Sequence, residues 1–294
     1  MTEKVAFLGM GIMGSAMAVN LLKGTPLTVW NRSQGKAIAA VNAGATEAAS
    51  LAEAVALADV VFSCLGDERD VEAVLIGQEG VLDKLAPGSI IVDFSTIGPE
   101  AAVKIAAACS ERRCHFLDAP VTGGDVGARN GTLTILVGGE ETIFERVRPL
   151  LQYMGKTLVY CGGSGAGQSL KLANQVLCSV NLVAIVEAMK LAEGLGLSPR
   201  LVVEALGNGA GGSWALNNLG PRILSEDFKP AFSIRHMLKD LRLASECAGE
   251  SLSQLGGTVW AIDRFKQVVE LEGEEGLELG TQAMYKAYPK LGNS

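Results

Sequence analysis

Lys171 and Asn174 lie three residues apart in GQSLKLANQVL, within a segment that is otherwise largely apolar. On a helix the two side chains share a face, where an ammonium and an amide could protonate and orient the oxygen of a bound carbonyl. A lysine on an apolar helix is more commonly a surface residue whose stem covers apolar area while its head reaches water, but that reading leaves the neighbouring amide unexplained. An unperturbed lysine titrates near pH ~10.4, and burial against a cofactor would lower this and make the group usable as both acid and base. A second constellation, DAPVTGGDVGARNG, sets Thr122 before Gly123 and Gly124. Two successive backbone N–H groups and a hydroxyl can face one anion there. Taken alone, the tripeptide reads first as a turn ahead of a helix.

A third pattern opens the chain. In VAFLGMGIMG, residues 5–14, Gly9, Gly11 and Gly14 form G-x-G-x-x-G. A secretory signal would need a longer apolar run and a small-residue cleavage site, whereas this run stops after four residues. The pattern alone is weak evidence, since glycines also serve ordinary turns. Its setting, after a strand pattern and at the start of a helix pattern, aims backbone N–H groups and a helix N-terminus at a pyrophosphate. Gly9, Met10, Gly11, Ile12, Met13 and Gly14 are therefore the expected cofactor cradle. At the end of the next strand pattern, where a carboxylate would accept hydrogen bonds from a ribose 2′-hydroxyl, stand Asn31, Arg32 and Ser33. Arg32 can pair with a 2′-phosphate and Ser33 can hydrogen-bond it, so NADP(H) is the expected cofactor and NAD(H) the alternative. Otherwise Arg32 is a solvated loop residue.

These groups need a scaffold, and the pattern along the chain supplies one. From residue 4 to about 160, the strand-like runs VAFLG, LTVWNR, DVVFSCLG, SIIVDFST, CHFLDAP and TLTILVGG alternate with helix-length segments. Such βαβ units make a doubly wound parallel sheet with helices on both faces. Beyond CGGSGAG the strand signals cease. GQSLKLANQVLCSVNLVAIVEAMKLAEGLG reads as one long helix, and SPRLVVEALG, FSIRHMLKDLRLASECAGE and TVWAIDRFKQVVELEGEEG as further ones, with Pro199 at a helix start. The expected division is a Rossmann-type domain at residues 1–164 and an all-α substrate and dimerisation domain at 165–294, joined through the long helix. The uncharged run from Leu172 to Val186 is shorter than a membrane span needs and is interrupted by Asn174, Gln175 and Asn181, which makes it a buried helix between domains or at a subunit interface. Asn208, Ser213 and Trp214, in GNGAGGSWALNN, read equally as substrate lining or as a loop.

The composition narrows the function classes. The chain has 294 residues, 48 % of them hydrophobic and 19 % charged, and a net charge of −7. It is long enough for two folded domains. The acidic balance argues against nucleic acid or an anionic membrane as partner and leaves small-molecule chemistry. Six scattered cysteines without a C-x-x-C pair fit reduced thiols in the cytoplasm. With only His115 and His236 present, no metal is expected.

Five segments, VAFLGMGIMG, DFST, DAPVTGG, GQSLKLANQ and FSIRHMLKDLRLA, together resemble the β-hydroxyacid dehydrogenase family in order and spacing over nearly the whole chain. This family includes 3-hydroxyisobutyrate dehydrogenases, tartronate semialdehyde reductases and glyoxylate/succinic semialdehyde reductases. The resemblance implies that Lys171 is the catalytic acid/base, that Asn174 positions substrate, and that Thr122, Gly123 and Gly124 hold a substrate carboxylate. The family most often has serine at the position of Thr122, so this pocket is narrower by a methyl group. It also implies that Leu65 and Thr96 contact the cofactor and that Phe232 and Lys239 bring the helical domain over the nicotinamide. GIMG, VWNR and PAFSIRHMLKDLRLA are most similar to the glyoxylate/succinic semialdehyde reductase branch. The implied activity is NADPH-dependent reduction of a short carboxylated aldehyde to a hydroxy acid by a homo-oligomer, dimer or tetramer. A 3-hydroxyisobutyrate or tartronate semialdehyde enzyme is the nearest alternative. Lys171 disfavours both a non-catalytic dinucleotide-binding scaffold and an imine reductase, because relatives of those kinds have lost the lysine.

Overall fold

The computed structural model describes residues 3–289, so the outer ends of the two expected domains, residues 1–2 and 290–294, lie outside the described residues. Among the described residues nine strands form one sheet: β1 (Val5–Leu8), β2 (Leu27–Trp30), β3 (Thr46–Glu47), β4 (Val60–Ser63), β5 (Ile90–Asp93), β6 (His115–Asp118), β7 (Val121–Thr122), β8 (Leu133–Gly139) and β9 (Gly155–Gly162). Between them run α1 (Ile12–Leu21), α2 (Ile38–Asn42), α3 (Leu51–Val55), α4 (Glu68–Leu75), α5 (Pro99–Glu111), α6 (Gly124–Asn130) and α7 (Glu141–Leu151). The strand order β3-β2-β1-β4-β5-β6 is parallel throughout and reverses direction beside β1, the arrangement of a doubly wound Rossmann-type sheet. Beyond β6 the sheet becomes mixed: β8 is antiparallel to both β6 and β7, and β9 is parallel to β8.

Alternation along the strands explains the two cores. Phe7, Phe62, Ile90 and Val92 point to one face, while Ala6, Leu8, Val61 and Ile91 point to the other, and each set joins its own apolar cluster. Strands covered on both faces must read as continuous apolar runs, and β1, β4 and β5 are buried at every position. On the first face the rings of Phe7, Phe62 and Phe94 lie 5.5 to 6.1 Å apart. The register pairs Leu8 with Ser63, Ser63 with Asp93, and Asp93 with Asp118, so the C-terminal ends of four strands are level with one another.

The remaining described residues are mainly helical: α8 (Ala166–Gly194), α9 (Pro199–Leu206), α10 (Trp214–Leu224), α11 (Ile234–Ala248) and α12 (Gly256–Glu272). Two compact units divide between Lys171 and Leu172, inside α8. Length and composition alone would let α8 cross a membrane, with a mean hydropathy of 1.5 over its most apolar 18 residues. Part of its apolar surface instead serves a protein core, where Leu182, Val186 and Met189 share a cluster with Ala261, Phe265 and Val268 of α12, while Leu170, Leu177 and Leu191 are exposed. Pro199 occupies the first turn of α9, behind a Ser198 cap. Ser213 caps α10, its hydroxyl accepting the Leu216 N–H at 3.0 Å, and Trp214 is the first residue of that helix. Both had read equally as lining or loop, because the glycines before this helix and Pro221 inside it blur the helical pattern.

Candidate active site

The G-x-G-x-x-G segment forms the turn from β1 into α1. Gly9 has φ +91°, and a Cβ there would overlap the Cys64 carbonyl; a Cβ on Gly14 would overlap the carbonyl of Gly9. Glycine is required at both positions by backbone approaching backbone. Gly11 differs, since a Cβ there meets nothing within 4 Å, and it caps α1 without a side-chain bond to the helix N–H groups. Open space before an uncapped helix N-terminus suits a pyrophosphate, so these residues fit a dinucleotide. Asn31, at the end of β2, accepts the Met10 N–H at 2.8 Å and donates to the Ser33 carbonyl at 2.9 Å, tying the glycine turn to the next strand end. Met10 is buried and Ile12 exposed, while Met13 packs against the first core cluster.

Arg32 follows in the same loop, exposed and ion-paired with Asp70 of α4 at 2.7 Å. Ser33 is exposed beside it. The Leu65 N–H, just past β4, donates to the Ser95 hydroxyl at 2.8 Å, and that hydroxyl donates to Asp93 Oδ1 at 2.7 Å. Ser63 donates to the same oxygen, also at 2.7 Å. Asp93 is wholly buried, and burial pushes its carboxyl up to about 6. The loops carrying Leu65 and Thr96 are thus fastened to one buried carboxylate.

A second buried carboxylate lies level with the first on the neighbouring strand. Asp118 Oδ1 accepts the Gly165 N–H at 2.7 Å and Oδ2 the Gln168 N–H at 2.9 Å, which fixes the start of α8 against the end of β6. Burial raises this carboxyl to about 6 as well, against the opposing effect of these N–H groups. Gln168 is itself fully buried, donating to the Ser95 carbonyl at 2.8 Å and accepting the Ile97 N–H at 3.2 Å. Lys171 follows one turn later and is only 6 % exposed, which removes the reading of a snorkelling surface lysine. Past β6, Thr122 ends the two-residue β7, Gly123 and Gly124 have φ +126° and +63°, and a Cβ on Gly124 would meet open space.

Asn174, Phe232 and Lys239 belong to the second unit. Within it, Asn174 donates to Gln175 Oε1 at 2.9 Å, Gln175 donates to Asp240 Oδ2 at 2.7 Å, and Lys239 Nζ lies 3.0 Å from Asp240 Oδ1. One polar chain therefore links two of the expected site residues across α8 and α11. Phe232 stacks obliquely near His236, with ring centroids 5.8 Å apart, and burial lowers the His236 pKa. Sequence reasoning had passed over Asp70, Asp93, Asp118, Gln168, Gln175 and Asp240 as site residues. Asp118, Gln168 and Gln175 stand inside the motifs DAPVTGG and GQSLKLANQ, where a polar residue amid an apolar run is the available signal.

Comparison with known proteins agrees with this architecture. The family model for the NAD binding domain of 6-phosphogluconate dehydrogenase matches residues 4–163, and that for the NAD-binding region of NADP-dependent 3-hydroxyisobutyrate dehydrogenase matches residues 165–288. The chain is 46 % identical to the uncharacterised oxidoreductase slr0229 of Synechocystis sp. over 289 residues, 97 % of this chain and 98 % of that one. It is 34 % identical to the 2-hydroxy-3-oxopropionate reductase of Escherichia coli K12 over 290 residues, 99 % and 98 % of the two chains. Among solved structures, 3-hydroxyisobutyrate dehydrogenase of Mycobacterium tuberculosis with L-serine superposes with a TM-score of 0.87 at 32 % identity, covering 97 % of this chain and 99 % of that one. With the Rossmann-type sheet, the glycine cradle and the helical half all present, the chain belongs to the β-hydroxyacid dehydrogenase family of NAD(P)-dependent oxidoreductases.

Proposed function

We propose that this enzyme is an NADPH-dependent reductase of short carboxylated aldehydes, glyoxylate or succinic semialdehyde, acting in the cytoplasm as a homo-oligomer. Residues 1–164 bind the dinucleotide in this reading, and 165–294 form the substrate and dimerisation domain. The observation that carries it is the attachment of α8, and so of Lys171, to the same row of strand ends that presents the glycine cradle.

When bound, NADPH supplies the hydride. Gly9, Met10, Gly11, Ile12, Met13 and Gly14 hold its pyrophosphate through backbone N–H groups, and Leu65, Thr96, Phe232 and Lys239 line the cofactor further along. Arg32 and Ser33, with Asn31 fixing the loop, receive the adenosine 2′-phosphate. Thr122, Gly123 and Gly124 hold the substrate carboxylate, and Asn174 orients the carbonyl. Lys171 gives a proton to the carbonyl oxygen as negative charge develops there; in the reverse direction it takes the proton back.

A second reading is favoured by one neighbour, the M. tuberculosis enzyme named 3-hydroxyisobutyrate dehydrogenase and solved with L-serine. In this reading the substrate is a β-hydroxy acid, oxidised with either cofactor. Steady-state rates of reduction of glyoxylate, succinic semialdehyde, methylmalonate semialdehyde, tartronate semialdehyde and butyraldehyde with NADPH and NADH, and of 3-hydroxyisobutyrate oxidation with NADP and NAD, separate the two. The first reading requires faster turnover of glyoxylate or succinic semialdehyde than of butyraldehyde, and NADPH preferred. Equal kcat/KM for succinic semialdehyde and butyraldehyde would rule out the carboxylate cradle, and a preference for NAD-linked 3-hydroxyisobutyrate oxidation would establish the second reading.

A further inference from the structure

Asp118 has no exposed surface. Its two carboxylate oxygens accept backbone N–H groups from the start of α8, Gly165 to Oδ1 and Gln168 to Oδ2. The first N–H groups of a helix have no partner within it, and a carboxylate satisfies them while opposing the positive end of the helix dipole. The strand beside it leaves no slack. A Cβ on Gly138 of β8 would stand 2.6 and 2.8 Å from the two carboxylate oxygens. Gln168 supplies a second tether from the same turn, to Ser95 and Ile97 on either side of Thr96. Burying a carboxylate without a cationic partner is costly. A serine or asparagine could cap a helix without that cost. Lys171 lies three residues beyond Gln168, so it shares a helix face with it and rides on whatever fixes that turn.

We propose that Asp118 is the positioning residue for Lys171: its carboxylate, with Gln168 as second tether, fixes the rotation and axial placement of the first turn of α8 relative to the strand ends. This rests on the reading of Lys171 as the proton donor. Asp118 does not touch substrate or take part in proton transfer. It acts through the helix, and misplacing a reacting group by ~1 Å costs on the order of a hundredfold in rate.

The test is Asp118→Asn, alone and combined with Lys171→Ala. The amide keeps one acceptor oxygen and replaces the other with a donor that faces N–H groups. The single variant is expected to lower kcat about 10- to 100-fold while the Kd for NADPH changes less than about twofold, because the cradle of residues 9–14 is carried by other elements. In the Lys171→Ala background the same substitution should have little further effect, since groups acting as one unit are not additive. An Asp118→Asn enzyme with near wild-type kcat would overturn the proposal, and so would an equal loss in both backgrounds. Failure of the underlying reading shows separately, as Lys171→Ala keeping most of its turnover. Should Asp118→Asn not fold, Gln168→Met removes the second tether without changing charge; it should lower kcat with unchanged NADPH affinity, and wild-type kcat there would overturn the proposal.

Discussion

At the β2 end of the sheet Arg32 and Ser33 are exposed, and one surface ion pair holds the Arg32 side chain, whereas at the β5 and β6 ends the Thr96 loop and the start of α8 hang from two carboxylates with no exposed surface. Arg32 has three quarters of its side-chain surface in water, and such exposed pairs contribute ~0–1 kcal/mol. Asp93 and Asp118 fix loops and a helix start through several short hydrogen bonds, and burial pushes both up to about 6. The difference fits the division of chemical labour in the proposed function, with Lys171 as proton donor and Arg32 as phosphate contact. A proton donor must be placed to within a fraction of an ångström, which in that reading would offset the cost of a buried charge that fixes its helix. A phosphate contact is long-reaching and tolerant, so it can sit on a solvated loop and exchange partners.

The strongest way to break this comparison is at the buried end. Lys171→Ala is expected to lower kcat ~100- to 10,000-fold, the range for general acid catalysis, with NADPH binding by fluorescence titration nearly unchanged. If the variant kept more than about a tenth of the wild-type kcat, proton donation by Lys171 would be excluded.

Asp93→Asn probes the cost of the buried charge. Both serine hydroxyls go to Oδ1, which an asparagine retains, and Oδ2 has no hydrogen-bond partner to lose. The folded pKa of about 6 exceeds the ordinary 3.8, so between those pH values the folded state holds more protons than the unfolded one, and stability falls as pH rises through the window. The cost is absent below about 3.8 and complete above about 6, amounting to about 3 kcal/mol for a shift of this size. Urea unfolding at pH 4 and pH 7 should therefore show the variant gaining on wild type towards neutral pH. A stability difference that stays constant across that range would mean Asp93 does not titrate there.

Turning to the exposed end, Arg32→Glu should lower kcat/KM for NADPH on the order of 10- to 100-fold and leave NADH far less affected, because a charge-assisted bond to the 2′-phosphate is lost and repulsion added. Equal losses with both cofactors would make Arg32 a structural residue.

The smallest effect concerns Asp70. Its carboxylate, 2.7 Å from Arg32, competes with an incoming phosphate for the guanidinium. Asp70→Asn should release Arg32 and tighten NADPH about two- to fivefold at low salt, the advantage fading as ionic strength rises. Weaker NADPH binding in this variant would show instead that Asp70 holds Arg32 in its receptive position.

Periodicity and local chemistry are properties of short stretches, which is why the strands, the long helix and the glycine turn were legible in the sequence. Apolar runs such as SIIVDFST must be covered on both faces, and a G-x-G-x-x-G between strand and helix permits few conformations. Lys171 and Asn174 were marked by their own contrast with an apolar helix, and family resemblance supplied the roles expected of them. What the sequence could not show is which distant groups meet. Asp118 and Gly165 are 47 residues apart, Gln168 and Ser95 are 73 apart, and Gln175 and Asp240 are 65 apart. The register placing Asp93 beside Asp118 depends on strand order, and the mixed edge at β8 on a pairing no local pattern encodes. An aspartate at a strand end reads as a polar stop, and only when β8 and α8 close over Asp118 does burial raise its pKa and make its oxygens the cap of the helix that carries Lys171.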